Sequence, residues 1–284
     1  MSTMKQAVMV IAAATTLAAC EDSTSPRFDG AEGATLSFAV PQGSQGSSAA
    51  HPLRPGAGPR AVVITDAAGR TLDVTQIQVV MEEVELKRLM HDECAEDDDA
   101  CEYFAIGPVL IDLPVEGGVV TPFDVAIPAD TYEELELEID DAEDDSTSAQ
   151  FFAENPTWPQ DASIRIVGTF DANDGAGPQP FDVYLEVSAE VERDLVPPLV
   201  ITDSAQDVNV TVQVDVAAWF QGAGGLIDPR DLNENDDLFD QVEENIEESF
   251  EAFEDDDRDG DSGSDDDDED EDDDEDDDNS GSGS

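Results

Sequence analysis

Positive charge is what this sequence has least of: 11 Lys+Arg stand against 72 Asp+Glu in 284 residues, a formal net charge of −61. A chain this acidic repels nucleic-acid phosphates and anionic headgroups, and it attracts divalent cations, polyamines or basic proteins. Histidine is nearly missing too. His51 sits in a Gly/Pro/Ser-rich stretch and His91 at the mouth of an acidic loop, placements that argue against a Ser-His-Asp triad. No G-x-S-x-G elbow, H-E-x-x-H, Walker loop or G-x-G-x-x-G after a strand is present. Paired glycosidase carboxylates carry no information where carboxylates are this abundant. No catalytic residue is therefore assigned, and the expectation is a protein that is not an enzyme.

Long apolar runs are also lacking. The one candidate, residues 7–17, follows Lys5, is too short for a permanent membrane span, and has the layout of a secretory signal. It ends Leu17-Ala18-Ala19-Cys20, which resembles the bacterial lipobox, in which the signal is cut before the Cys and the Cys is acylated. Cys20 is then a lipid anchor, because several acyl chains at about 0.8 kcal/mol per buried methylene make attachment effectively permanent. Two cysteines remain, Cys94 and Cys101, in HDECAEDDDACEYF. In an exported chain they are expected to close a small disulfide ring. The rivals are a metal site with His91, which lacks a fourth ligand, and a redox pair.

What is present is alternation. Leu135, Leu137 and Ile139 alternate with Glu134, Glu136 and Glu138; Phe181, Val183, Leu185 and Val187 do the same, as do Val208, Val210, Val212 and Val214. Side chains of an extended chain point to opposite faces, so each segment predicts a strand with an apolar core face and a polar face in water. Hairpins are expected at residues 66–70 and at Asn173-Asp174-Gly175, with a long strand over 75–89 whose period slips near Val80. Asp171, Asn173 and Asp174 could be read as cation ligands, but turn chemistry accounts for them. With about eight short strands and no helical period between them, the fold class is all-β: an antiparallel β-sandwich, immunoglobulin-like or transthyretin-like.

Beyond Phe220, Leu238, Val242, Ile246, Phe250 and Phe253 recur at spacings of four and three, predicting an amphipathic helix capped by Asn235, Asp236 and Asp237. The predicted organisation is a signal peptide at 1–19, a lipid-anchored spacer at 20–60 with a short strand at 34–40, and a sandwich at 61–220. A linker and helix follow at 221–253, then a disordered acidic tail at 254–284. The tail holds fourteen consecutive acids at 265–278, which bury nothing and repel one another.

The segments VMEEVELKR, the Cys-flanked acidic loop, GPVLIDLP with its following Gly-Gly, IPADTYEELELEI, the WF pair, GGLIDP and SFEAFEDDDRDG together resemble a family of uncharacterised bacterial lipoproteins with a β-sandwich domain of unknown function. The resemblance spans roughly residues 61–260. It implies a fold class and a cell-envelope location, periplasmic or surface-exposed, and no activity.

Two stretches suggest ligands. Asp255-Asp256-Asp257-Arg258-Asp259-Gly260 satisfies D-x-D-x-D-G, in which Asp255, Asp257 and Asp259 converge on a calcium ion and the glycine permits a sharp turn. Asp261 and Asp266 extend the candidate set. The loop departs from an EF-hand in having Ser262 where an apolar residue pairs with a partner loop, Asp266 in place of Glu, and no exiting helix. The other reading is diffuse counterion binding by an acidic tail. Trp158 and Trp219 could instead form an aromatic platform for glycans, although aromatics at strand ends are more often core plugs. The leading expectation is a lipid-anchored, cation-attracting binding or structural module. The alternative is a glycan-binding or glycan-processing surface module.

Overall fold

The computed structural model describes residues 35–41, 62–89, 103–123, 127–143, 148–202, 208–255 and 258–260. The predicted signal peptide, Cys20, most of the spacer with His51, the loop holding His91, Cys94 and Cys101, and the carboxylates Asp257, Asp261 and Asp266 lie outside the described residues, as do residues 261–284 of the tail.

The described chain is predominantly strand. β1 (Thr35–Ala39), β2 (Val62–Thr65), β3 (Thr71–Arg88), β4 (Tyr103–Ile106), β5 (Val109–Asp112), β6 (Val119–Phe123) and β7 (Thr131–Ile139) come first. After a short helix α1 (Ala149–Glu154) follow β8 (Ile164–Asp171), β9 (Gln179–Leu185), β10 (Ala189–Val200) and β11 (Asn209–Val214). A turn of helix α2 (Val216–Trp219), the small ladder β12 (Gln221–Gly222) and β13 (Gly225–Leu226), a 3-10 helix at Pro229–Glu234, helix α3 (Asp236–Glu247) and β14 (Phe250–Glu254) complete it.

The long strand β3 organises the larger sheet. Its first half pairs with β8 and its second half with β7, while β2, β5 and β4 pair with it in turn, giving the path β10-β7-β3-β8-β9. The slip near Val80 is real: Val79, Val80 and Met81 are all buried, and the register against β7 shifts between Met81 and Glu83. A bulge of this kind lets one long strand serve two neighbours on the same side with its apolar face still inward. Gly107, between β4 and β5, marks a close approach there, since a Cβ would lie 1.8 Å from the Glu82 carbonyl oxygen. Both expected hairpins form, with Gly69 (φ 78°) in the first turn and Asn173 (φ 57°) and Gly175 (φ 90°) in the second.

The smaller sheet runs β14-β11-β1-β6. Leu36 and Phe38 of β1, Val210, Val212 and Val214 of β11 and Phe250 of β14 join Leu72, Ile77, Leu135, Leu137, Ile166 and Val191 of the larger sheet in one continuous apolar core. Burial of this kind contributes roughly 25 cal/mol per Å² of apolar surface.

Three expectations are corrected here. The segment at 34–40 is no spacer strand: β1 sits inside the sheet between β11 and β6. Its pairing with β11 is parallel, Thr35 to Asn209 through Ala39 to Gln213. No crossover helix is needed, because the intervening domain itself is the connection. The third concerns the amphipathic helix, which is capped by the Asn235 side chain at the Leu238 N–H as expected but ends at Glu247 and not at Phe253. Arg193 donates to the carbonyls of Glu247 (3.0 Å) and Phe250 (2.6 Å), and Trp219 Nε1 donates to Ser249 Oγ (2.7 Å). These contacts satisfy the turn, and Phe250–Glu254 continues as a strand paired antiparallel with β11.

Candidate functional site

The D-x-D-x-D-G segment follows directly from β14, so a sheet edge positions it and not the end of a helix. The Asp255 N–H donates to the Asn209 carbonyl (2.8 Å), extending the β11–β14 ladder by one residue. The Asp255 carboxylate then folds the chain back on itself. Its Oδ1 accepts the Asp259 N–H (3.2 Å) and its Oδ2 the Gly260 N–H (3.1 Å). Two residues of the turn lie in the left-handed region, Arg258 at φ 57° and Gly260 at φ 81°. The glycine has a packing reason as well, because a Cβ there would stand 3.0 Å from Val119 Cγ2 and 3.2 Å from Ala39 Cβ.

The turn rests on a bed of uncharged polar side chains that sequence alternation assigned to water. Asn209 and Thr211 of β11 and Ser37 of β1 are fully buried. Asn209 Oδ1 accepts from Thr35 Oγ1 and Ser37 Oγ, both at 2.7 Å, while its Nδ2 donates to Thr211 Oγ1 (2.8 Å) and to the Asp255 carbonyl (2.9 Å). Gln213 Nε2 donates to the Gly260 carbonyl (3.0 Å), and Arg258 reaches Thr35 Oγ1 at 3.1 Å. One amide thus ties β1, β11 and the turn together, and buried polar groups persist only when satisfied in this way. A strand pattern of Val alternating with Asn, Thr and Gln, where other strands alternate with Glu, was the available signal. Short uncharged polar groups suit a covered face.

Of the five candidate metal ligands, Asp255 and Asp259 are brought onto one turn, Asp255 buried and Asp259 exposed. The others lie outside the described residues. Among the described residues, two further groups of three carboxylates have oxygens within 4.8 Å of one another: Glu82, Glu138 and Asp140, and Glu134, Glu136 and Glu192. Both lie on the larger sheet.

The two tryptophans are not neighbours in one platform. Trp219 is fully buried in the main core and offers no face to a ligand, which overturns its place in the expected platform; its indole N–H needed an internal acceptor and finds Ser249. Trp158 is half-buried against a small cluster of Val80, Ala142 and Phe151. Its Nε1 donates to the Ala162 carbonyl (2.6 Å), and its ring meets Tyr184 edge-on at 5.6 Å. Arg165 lies 5.5 Å over the Tyr184 ring and holds Asp182 in two hydrogen bonds of 2.9 Å each. The Arg165 bonds hold the Asp182 carboxyl below its usual range. Tyr184, which alternation left unremarked, is the aromatic partner of Trp158, and Arg165 joins the group through Tyr184.

Comparison with protein-family models, with curated proteins and with solved structures finds no match.

Proposed function

We propose that this chain is a non-enzymatic lipoprotein of the bacterial cell envelope, a β-sandwich module that carries a calcium-binding turn at residues 255–260. The observation that carries the reading is the Asp255 carboxylate, which accepts the Asp259 and Gly260 N–H groups and so draws the two ends of the motif together. In such a loop alternate carboxylates approach one hard cation, so Asp255, Asp257 and Asp259 are the proposed ligands, with Asp261 and Asp266 completing the shell. Calcium chemistry fits this donor set, since every ligand is an oxygen. The sandwich reading is supported by the two main sheets feeding a single apolar core, immunoglobulin-like and transthyretin-like arrangements both suiting that layout. Resemblance of LAAC to a lipobox supports Cys20 as the anchor and the cell envelope as the location, and the acidic composition supports cations or basic proteins as partners, with no nucleic acid.

Thermal unfolding with and without calcium tests the site. An upward shift that saturates, and that magnesium does not reproduce, is the expected result. A flat response removes the defined site. Cys20→Ala, followed by membrane fractionation, tests the anchor: the variant is expected in the soluble fraction, and retention in the membrane rejects lipidation.

A second reading, a glycan-binding surface, is favoured by one observation: the Trp158, Tyr184 and Arg165 group on the β8–β9 face joins aromatic rings to a charged pair. A glycan array in which binding vanishes for Trp158→Ala would favour it over the calcium reading.

A further inference from the structure

Acids at alternate positions of β3, β7 and β10 are visible in the sequence, but only register decides which of them meet. Across the outer face of these strands the pairing forms three rows. Glu83 stands opposite Glu138, and Glu138 opposite Glu190. In the next row Glu85 faces Glu136, and Glu136 faces Glu192. In the third, Lys87 faces Glu134, and Glu134 faces Asp194. Directly opposed side chains have Cβ atoms about 4.5–5.5 Å apart, and like charges so placed repel. One ammonium serves the whole grid: Lys87 Nζ contacts Glu134, reaches Glu136 at 3.0 Å and Glu192 at 4.0 Å. Glu85 and Glu190 feel it only from farther off, and at both the neighbouring carboxyls outweigh it.

Carboxyls crowded together with so little positive charge are relieved of repulsion by taking up protons. Carboxyl oxygens of Glu82, Glu138 and Asp140, and of Glu134, Glu136 and Glu192, lie within 4.8 Å of one another, close enough for the charge of one carboxyl to hold a proton on its neighbour. We infer that this face is a proton-holding surface: opposed carboxyls of β3, β7 and β10 share protons taken from solvent, and releasing them as the medium turns alkaline weakens the pairing of these strands.

Glu85 shows the balance. Glu83 and Lys87 flank it on its own strand, and Glu136 stands opposite it on β7 with Glu134 and Glu138 on the diagonals; Glu190, Glu192 and Asp194 of β10 lie beyond β7, and on β4 it meets only Ala105, with Tyr103 opposite Lys87. Burial, then the repulsion of Glu83 and Glu136 outweighing the attraction of Lys87, pushes its carboxyl up to about 7. Glu82 at the bulge is also pushed up to about 7, by burial and then by Glu138, Asp140, Glu143 and Asp141. The sign follows from linkage. A carboxyl raised from 4.5 to about 7 on folding contributes stability that is full below pH 4.5 and is lost as pH rises through about 7. From these two groups the folded chain holds about two protons more than the unfolded chain near pH 5.7.

The test uses the full chain with 13C-labelled glutamate. The side-chain carboxyl resonance absent from E85Q is expected to titrate near neutrality in the wild type, and the urea midpoint to fall between about pH 5.5 and pH 8.5. In E85Q that fall is expected to shrink by up to about one half, because one of the two carboxyls pushed up to about 7 is gone. The acidic tail is common to both chains and cancels. Should every glutamate resonance titrate below about pH 5.5, the inference is overturned, and it is equally overturned if E85Q loses as much stability over that range as the wild type. The wild-type titration decides alone if the variant does not fold.

Discussion

Two faces of this molecule begin from the same rule and end in opposite chemistry. On β11, Val210, Val212 and Val214 alternate with Asn209, Thr211 and Gln213; on β7, Leu135, Leu137 and Ile139 alternate with Glu134, Glu136 and Glu138. The apolar sides of both enter the one core. The polar side of β11 is uncharged and hydrogen-bonded under the Asp255 turn, whereas the polar side of β7 is a grid of carboxylates with one ammonium. A covered face cannot keep unpaired charge, because burying an ion is far costlier than burying an amide that finds four partners. An open face tolerates charge but not repulsion without a remedy, here Lys87 and shared protons. What covers a polar face, not its alternation, decides which solution it takes.

The largest expected effect tests the covered face. Asn209→Ala removes at once the shared partner of Thr35, Ser37, Thr211 and the Asp255 carbonyl, and should lower stability in urea unfolding by about 3 kcal/mol. A loss below about 1 kcal/mol would mean that water replaces the amide and that the face is not sealed. Next comes the turn itself. Gly260→Ala must hold φ near 81° with its Cβ against Val119 and Ala39, a cost of about 1–2 kcal/mol by calorimetric unfolding. On the open face Lys87→Gln removes the shared cation. Because Lys87 is itself half-exposed, the expected loss at neutral pH is about 1 kcal/mol or less, and it should diminish on acidification as the neighbouring carboxyls protonate. The smallest effect belongs to the rim: Glu192→Gln, at an exposed site, should change stability by less than about 0.5 kcal/mol in either direction. If the rim variant proved as consequential as the Lys87 variant, the graded picture of the grid would fail.

These faces also mark how far the sequence could be read. Strand positions, both hairpin turns and the slip at Val80 are local and were legible, since alternation and turn chemistry are properties of neighbouring residues. The end of α3 was not. Phe250 continues the four-residue spacing of Leu238, Val242 and Ile246, so periodicity could not show that Ser249 and Arg193 close the helix and turn the chain into β14. Register was equally out of reach: that Glu85, Glu136 and Glu192 form a row depends on the Met81 bulge and on pairings between distant segments. Of the candidate ligands, D-x-D-x-D-G was visible as a motif, while its dependence on Asn209 lay 46 residues away in sequence. Trp219 was open to a core and a platform reading until its burial decided it, and Trp158 was not assignable, because its partner Tyr184 comes from a distant strand.

The most direct test is a calorimetric calcium titration of the full chain beside its Asp257→Asn, Asp259→Asn double variant at physiological ionic strength. Both carry the same acidic tail, so diffuse binding is equal in the two. The account predicts one saturable site in the wild type, superimposed on weak binding, and only the weak binding in the variant. Identical isotherms would contradict it.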